Sequence, residues 1–237
     1  MPKVFGKTVL ILGASGGMGS ALADLLQTDG ARLILVDRQQ PKRQKKDRLA
    51  AGTKFIADVS DYQAVRRLAA RLHRAGDKLD WIVNLVGWAD RVTTLREQSR
   101  GRIDKLVAIN LLAAIYITRE LTPLLRSGGG MINIASTAGL RPNGLYAVYA
   151  AAKAGVVAFT QAMARSAADM SQSKLSFVAL CPGPTNTLMR KKLVGDAQKH
   201  QSPTVVAQAI EKILSGAYRN GDVILVEKGH SRLVSRQ

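Results

Sequence analysis

Short runs of β-branched and other apolar residues alternate along this chain with longer stretches whose apolar positions recur every three or four residues. The runs Thr8–Leu12, Leu33–Val36, Phe55–Ala57, Trp81–Val86, Met131–Ala135, Phe177–Leu180 and Val223–Val226 predict seven buried strands. The intervening stretches, near residues 17–28, 60–75, 102–126, 147–170 and 203–215, predict amphipathic helices. Apolar strands that alternate with helices imply a parallel sheet covered on both faces. The expected fold is a doubly wound α/β single domain spanning 1–237, with a seven-stranded parallel sheet.

Two of the helical stretches carry more apolar surface than one sheet can cover. The stretch 102–126 is apolar on more than one side (Leu106, Val107, Leu111, Leu112, Ala114, Ile115, Ile117), and 147–164 is rich in small residues. A surplus apolar face marks an interface, so a homo-oligomer, a dimer or a tetramer, is expected on these two helices.

Composition narrows the class. With 46% hydrophobic and 22% charged residues the chain is outside the disordered range. Cys181 alone cannot close an internal disulfide, and His73, His200 and His230 lack metal-ligand spacing, so neither a disulfide scaffold nor a metal site is expected. The longest apolar stretch, Leu106 to Thr118, is interrupted by Asn110 and falls short of the roughly 20 residues of a bilayer helix. Lys3 and Lys7 precede only Val9 to Leu12 before glycines begin, which is too short for a signal-peptide core. A cytoplasmic protein with no membrane partner is the expectation. Charge adds a separate clue: 35 Lys and Arg against 17 Asp and Glu give +18, spread over both halves of the chain. Such a field favours anionic partners, whether nucleotides, phosphorylated ligands, an acidic carrier protein or nucleic acid. The basic run Arg38 to Arg48 reads as a surface connection.

The first strand runs into Gly13-Ala14-Ser15-Gly16-Gly17-Met18-Gly19 and then a helical pattern. Glycines let the backbone turn sharply and come close to a pyrophosphate, while free N–H groups and the helix dipole supply an anion site. Asp37 ends the second strand, 18 residues past Gly19, where a Rossmann-type fold places an acid against the adenosine ribose hydroxyls. A carboxylate there favours NAD(H) and repels a 2′-phosphate. Arg38 and the lysine run lie close enough to attract one, so NADP(H) is the alternative. A charge fixed at a strand end acts at contact distance, whereas loop charges are screened within about 8–10 Å.

Tyr149 and Lys153 stand at i and i+4 within a helical pattern, on one face. A neighbouring ammonium lowers the pKa of a phenol, whose ordinary value is about 10, toward a range useful for proton transfer. Thirteen residues before Tyr149, Ser136 follows a strand. Its hydroxyl can hold a substrate carbonyl oxygen, or simply cap a helix.

These residues resemble the short-chain dehydrogenases/reductases, in their shorter-subunit branch, over nearly the whole chain. Gly13, Gly17 and Gly19 fall on that family's Gly-x-x-x-Gly-x-Gly; Asp58-Val59 looks like its adenine-contacting pair; Asn84 opens a variant of its Asn-Asn-Ala-Gly, ending at Gly87. Asn110, Ser136, Tyr149 and Lys153 fall on its catalytic tetrad, and Pro182-Gly183 followed by Thr187 resembles its nicotinamide-holding segment. The resemblance implies a cofactor site built from Gly13, Ser15, Gly17, Met18, Gly19, Asp37, Arg38, Asp58, Val59, Asn84, Gly87, Tyr149, Lys153, Pro182, Gly183 and Thr187. It implies hydride exchange between nicotinamide and a secondary alcohol or ketone. Tyr149 would serve as acid/base, Ser136 would steady the substrate oxygen, Lys153 would lower the tyrosine pKa and hold the nicotinamide ribose, and Asn110 would support a water-linked relay. Leu12 and Leu85-Val86 depart from the family pattern, as does the C-terminal segment Gly221 to His230; the first three are apolar and are expected to alter packing more than chemistry.

Substrate choice falls to the segments Trp88–Thr93, Leu140–Tyr146 and a lid at about 188–202, with Trp88 and Tyr146 as an apolar wall and Arg141 as a carboxylate partner. The basic run Met189-Arg190-Lys191-Lys192 suits an acidic carrier protein or a phosphorylated substrate. Three readings stand: an alcohol dehydrogenase or ketone reductase, a 3-oxoacyl carrier-protein reductase, and a non-catalytic nucleotide-sensing or nucleic-acid-binding protein on the same fold. Few aromatics and no nucleic-acid module speak against specific nucleic-acid binding.

Overall fold

Successive strand residues point to opposite sides of a sheet, and here both sides are apolar. Val9 and Ile11 of β1 (Thr8–Leu12) enter one buried cluster, while Leu10 and Leu12 enter the other. The computed structural model describes residues 4–39, 52–89, 91–169, 174–194 and 200–235. After β1 come α1 (Gly17–Thr28), β2 (Arg32–Asp37), β3 (Gly52–Ile56), α2 (Tyr62–Arg74) and β4 (Leu79–Asn84). Then follow α3 (Arg100–Val107), α4 (Ala113–Leu121), β5 (Leu125–Ile134), α5 (Thr137–Leu140) and α6 (Ala147–Asp169). The chain finishes with β6 (Ser176–Pro182), α7 (Leu188–Val194), α8 (Pro203–Leu214), β7 (Val223–Glu227) and β8 (His230–Ser235).

The strand order is β3-β2-β1-β4-β5-β6-β7-β8. α1 and α8 cover one face, packing Leu22, Leu26, Ile210 and Ile213 on the sheet. α2, α4 and α6 cover the other, through Leu68, Leu72, Ile117, Leu121 and Ala164. The chain leaves β1 toward β2 and β3 and returns to β1's other side at β4, so the carboxyl ends of β1 and β4 border the crevice where doubly wound sheets bind ligands.

The sheet has eight strands rather than the seven expected. β8 pairs antiparallel with β7 across a tight turn in which Lys228 and Gly229 both have positive φ (52° and 84°). Most of β8 is exposed, so it lacks the apolar run by which a buried strand is read. Strand ends also move: β3 and β4 begin earlier than expected, and β5 begins at Leu125 because Pro123 ends the preceding helix in a 3₁₀ turn. The single helix expected over 102–126 is interrupted by a π turn at Ala108–Leu112, which contains Asn110. Most of the basic loop after Arg38, and 195–199 of the expected lid, lie outside the described residues.

Although no membrane span was expected, the helical stretches 100–124 and 144–167 are long and apolar enough to cross a membrane by length and composition alone. Both belong to the layer packed on the sheet, and 39% and 33% of their apolar windows are buried. The remainder, including the exposed Ala151, Ala158 and Ala162 of α6, faces outward.

Candidate active site

The glycine turn is tight enough to exclude side chains. A Cβ at Gly19 would come within 2.3 Å of the Gly13 carbonyl oxygen and 2.8 Å of the Ala14 Cα, both backbone atoms. Gly16, at the head of α1, gives no side-chain cap, and the first turn of α1 holds no acid. The helix therefore presents its leading N–H groups and positive dipole end toward exposed backbone at Ser15, Gly16 and Gly17, a cradle that fits a pyrophosphate. Met18 lines the cleft next to it.

Asp37 is tied to this turn. Its Oδ2 accepts a hydrogen bond from Ser15 N at 2.9 Å and its Oδ1 one from Arg38 N at 2.8 Å, which fixes a carboxylate at the carboxyl end of β2. Asp58 is exposed and accepts from Ser60, while Val59 is buried beside it.

Asn84 is engaged inside the protein instead of facing the crevice. Its Nδ2 donates to Asn133 Oδ1 at 3.2 Å, its Oδ1 accepts from Val86 N, and Asn133 Nδ2 donates to Thr160 Oγ1 at 3.1 Å. This polar ladder ties β4, β5 and α6 together beneath the site. The unusual Leu12 and Leu85 are buried on opposite faces of the sheet, as packing residues. Gly87 is exposed, and a Cβ there would lie 3.3 Å from Asn110 Oδ1 and 3.4 Å from Lys153 Nζ, which places it directly beside two tetrad positions.

The four tetrad positions come together at the carboxyl ends of β4 and β5. Asn110 sits in the π turn, and the extra residue of such a turn re-aims its side chain. Its Nδ2 donates to the carbonyls of Trp88 (2.7 Å) and Leu106 (3.0 Å), and its Oδ1 accepts from Trp88 N (3.0 Å). Ser136 caps α5, accepting from Ala138 N at 3.1 Å, and its hydroxyl neighbours the Tyr149 phenol and lowers its pKa. Burial raises the Tyr149 pKa above the ordinary phenol value; the Ser136 hydroxyl and the Arg190 guanidinium oppose that rise. Lys153 Nζ is buried and donates to the Ile134 carbonyl at 2.9 Å; burial pushes its pKa down to about 8. The neighbouring Cys181 thiol is pushed up to about 12 by burial. Arg190, on α7, is thus a cation that acts on the phenol, a side chain that the sequence offers only as part of a basic lid.

Ser136 and Tyr149 line a cleft of about 470 Å³ whose opposite wall is Pro182 to Thr185, with Thr187, Met189 and Arg190. That wall is fastened by Gln201, which the sequence offers only as part of the lid: its Nε2 donates to Val226 O (3.1 Å) and Thr185 Oγ1 (3.2 Å), and its backbone bridges to Thr185. Thr187 packs its Cγ2 against the Gly17 backbone, so this wall meets the glycine turn. Of the three expected substrate contacts, Tyr146 lines the cleft and stands edge-on to Tyr149, with ring centroids 6.4 Å apart. Arg141 lines its rim, paired with Glu227 at 2.8 Å. Trp88 does not line it: its ring lies beneath Lys105 Nζ, 4.4 Å from the centroid. Among the described residues no group of three or more His, Cys, Asp or Glu is placed to hold a metal ion.

The sequence model of the short chain dehydrogenase family matches residues 7–198. The chain is a short-chain dehydrogenase/reductase. Its similarity to other members extends over most of its length: it is 27% identical to a human 3-oxoacyl-[acyl-carrier-protein] reductase over 234 residues, covering 94% of this chain and 97% of that one. It is 30% identical to a D-beta-hydroxybutyrate dehydrogenase of Cupriavidus necator, covering 92% and 87%. A 3-ketoacyl-(acyl-carrier-protein) reductase of Brucella melitensis, solved with NADH, superimposes with a TM-score of 0.81 at 26% identity, covering 94% and 97%. As a member of this family the chain is an NAD(P)-binding oxidoreductase acting on CH–OH or C=O groups, and the non-catalytic reading gives way.

Proposed function

We propose that this short-chain dehydrogenase/reductase interconverts a secondary alcohol and a ketone, with Tyr149 as the general acid/base. The observation that carries the reading is the pair of neighbouring hydroxyls, Ser136 and Tyr149, in the lining of one cleft that opens beside an uncapped helix N-terminus. The first turn of α1 and the 13–19 loop would hold the pyrophosphate of a dinucleotide, Asp37 its adenosine ribose, Lys153 its nicotinamide ribose and Pro182 to Thr187 its carboxamide end. Bound there, nicotinamide supplies or accepts the hydride. In the reducing direction the Tyr149 hydroxyl donates a proton to the substrate oxygen while Ser136 holds that oxygen in place. Lys153, with a pKa of about 8, gives up and regains a proton near neutral pH more readily than an exposed lysine. Asn110, by holding the backbone of Trp88, keeps the chain at Gly87 open beside it, and it supports the water-linked relay behind Lys153.

NAD(H) is the proposed cofactor, because Asp37 presents a carboxylate fixed by two backbone N–H groups. Reduction of a panel of ketones with NADH and NADPH tests the assignment; full turnover by Tyr149→Phe would sink it.

A second reading, a 3-oxoacyl carrier-protein reductase, is favoured by Arg190 on the cleft wall and the exposed Lys191 and Lys192 on α7, a basic rim suited to an acidic carrier. Carrier-bound substrate turned over in a salt-sensitive way would select it. For assembly we infer a homodimer or homotetramer built on the outward faces of α4 and α6. A monomer by light scattering at micromolar concentration would exclude it.

A further inference from the structure

Among the described residues, three charged side chains line the cleft: Arg141, Arg190 and Glu227. Arg141 follows α5 directly, five residues after Ser136, on the wall that carries the reacting hydroxyls. Glu227 ends β7 on the facing wall, its Cγ packed against Gly183. The Arg141–Glu227 ion pair, Nη2 to Oε2 at 2.8 Å, therefore spans the mouth of the cleft from one wall to the other.

Two features suit this pair to exchange. Solvent reaches both members, at 61% and 29% side-chain exposure, and pairs in water are weakly held. A guanidinium offers a planar fork that matches a carboxylate with two parallel N–H bonds, and Glu227 occupies one arm. The group already seated on Arg141 is a carboxylate, so a carboxylate on the substrate is its direct replacement. We propose that Arg141 is the acid-recognition group of this cleft, with Glu227 as its resting partner, and that the enzyme acts on short oxo acids and the corresponding hydroxy acids. The carbonyl lies at Ser136 and Tyr149 and the carboxylate at Arg141. Ser136 and Arg141 flank the single turn of α5, so the two groups bracket one short stretch of the same cleft wall, which suits a short oxo acid. Arg190, whose Nε donates to His200 Nε2 at 3.3 Å, adds a second positive charge from the opposite wall of the cleft and discourages a cationic substrate.

This assignment rests on the alcohol/ketone reading above, and the test separates the two. Acetoacetate and levulinate are compared with their methyl esters, with NADH and NADPH each supplied, for the wild type, Arg141→Gln, Glu227→Gln and the exposed control Arg100→Gln. The wild type is expected to prefer each acid to its ester by about tenfold in kcat/KM, the equivalent of one charge-assisted contact. Arg141→Gln brings the ratio toward one, Glu227→Gln raises it and Arg100→Gln leaves it alone. The opposite signs of the two pair variants are what a simple brace between the walls would not produce. Esters turned over as well as acids, or both pair variants moving the ratio in the same direction, would overturn the acid site and leave the oxidoreductase reading standing. If neither series turns over, calorimetric binding of the acids that is lost in Arg141→Gln supports the acid site while counting against the proposed reaction. No such binding overturns it.

Discussion

Gly139 lies against the backbone of Lys153: a Cβ at 139 would come within 2.7 Å of the Lys153 carbonyl carbon and 2.8 Å of Ala154 N. This close approach of α5 to α6 sets the distance between Ser136, which caps the first helix, and Tyr149, which opens the second. Overpacking of this kind costs about 1–3 kcal/mol, and here the atoms in the way are backbone that cannot rotate aside. Gly139→Ala is expected to lower Tm by roughly 2–4 °C for each kcal/mol and to reduce kcat by spreading the two hydroxyls. Nucleotide affinity should fall less than kcat, because the glycine turn proposed to hold the pyrophosphate is away from α5 while Lys153 is displaced with it. Calorimetry with steady-state kinetics checks both parts, and an unchanged kcat would show that the α5–α6 distance does not set the hydroxyl geometry.

Tyr149→Phe removes the hydroxyl that meets Ser136 without removing the ring that packs against Tyr146. Loss of a general acid/base lowers turnover by about 10²–10⁴-fold. Nucleotide binding, followed by nicotinamide fluorescence, is expected to persist. In the wild type, burial raises the phenol pKa, so the protonated form needed for ketone reduction extends to higher pH than an exposed tyrosine would allow. Replacing Arg190 with Gln removes a cation that lowers this pKa, so the alkaline limb of the reduction profile should move further up in pH. A downward move would show that Arg190 does not act on the phenol.

Residues whose role is set by their immediate neighbours in sequence could be read directly. The 13–19 turn, Asp37 at a strand end, and Tyr149 with Lys153 one helical turn apart are local patterns, and each lies where its pattern implied. Arg190 and Gln201 were legible only as members of a lid and Glu227 not as a site residue, because the chain brings them to the cleft from segments that are remote in sequence from the residues they meet. Glu227 reaches Arg141 across 86 positions. The bonds of Asn84 were equally remote from its own sequence: Asn133 on the adjacent strand accepts from its amide, 49 positions away. The π turn arises within a stretch whose apolar pattern looks like continuous helix, and β8 is polar enough to be read as a tail.

Lys153 leaves a signature in stability. Its lowering from 10.5 to about 8 by burial corresponds to about 3 kcal/mol as an upper figure. Between these two values the unfolded chain holds a proton that the native state has released, so this group makes stability rise with pH from about 8 to 10.5. Below that window the buried charge weighs fully against folding. Tyr149, raised by burial, acts in the other direction above its ordinary value of 10, where the native state retains a proton. Denaturant midpoints of the wild type and Lys153→Met, measured across pH 7–11, isolate the lysine contribution as a difference. The wild type should gain on the variant through the window, and a flat difference would mean that the ammonium is solvated in the native state.

The proposed nucleotide choice rests on two side chains at the end of β2. Asp37 is held by Ser15 N and Arg38 N, so its charge is fixed where the proposed adenosine ribose would lie. The Arg38 side chain is exposed and its charge is screened within about 8–10 Å. A 2′-phosphate brought to this position meets the carboxylate first, and the expected order is tight NADH with weak NADPH at physiological salt. Asp37→Ser keeps a hydrogen-bonding side chain but removes the charge, and should narrow the difference by about tenfold or more, which is 1.4 kcal/mol. Arg38→Gln should change NADPH binding less. Titration of the three proteins with each nucleotide, read by nicotinamide fluorescence, decides the matter. Tighter NADPH than NADH in the wild type, abolished by Arg38→Gln, would transfer the selecting role from the carboxylate to the guanidinium and give the biosynthetic reductase reading the greater weight.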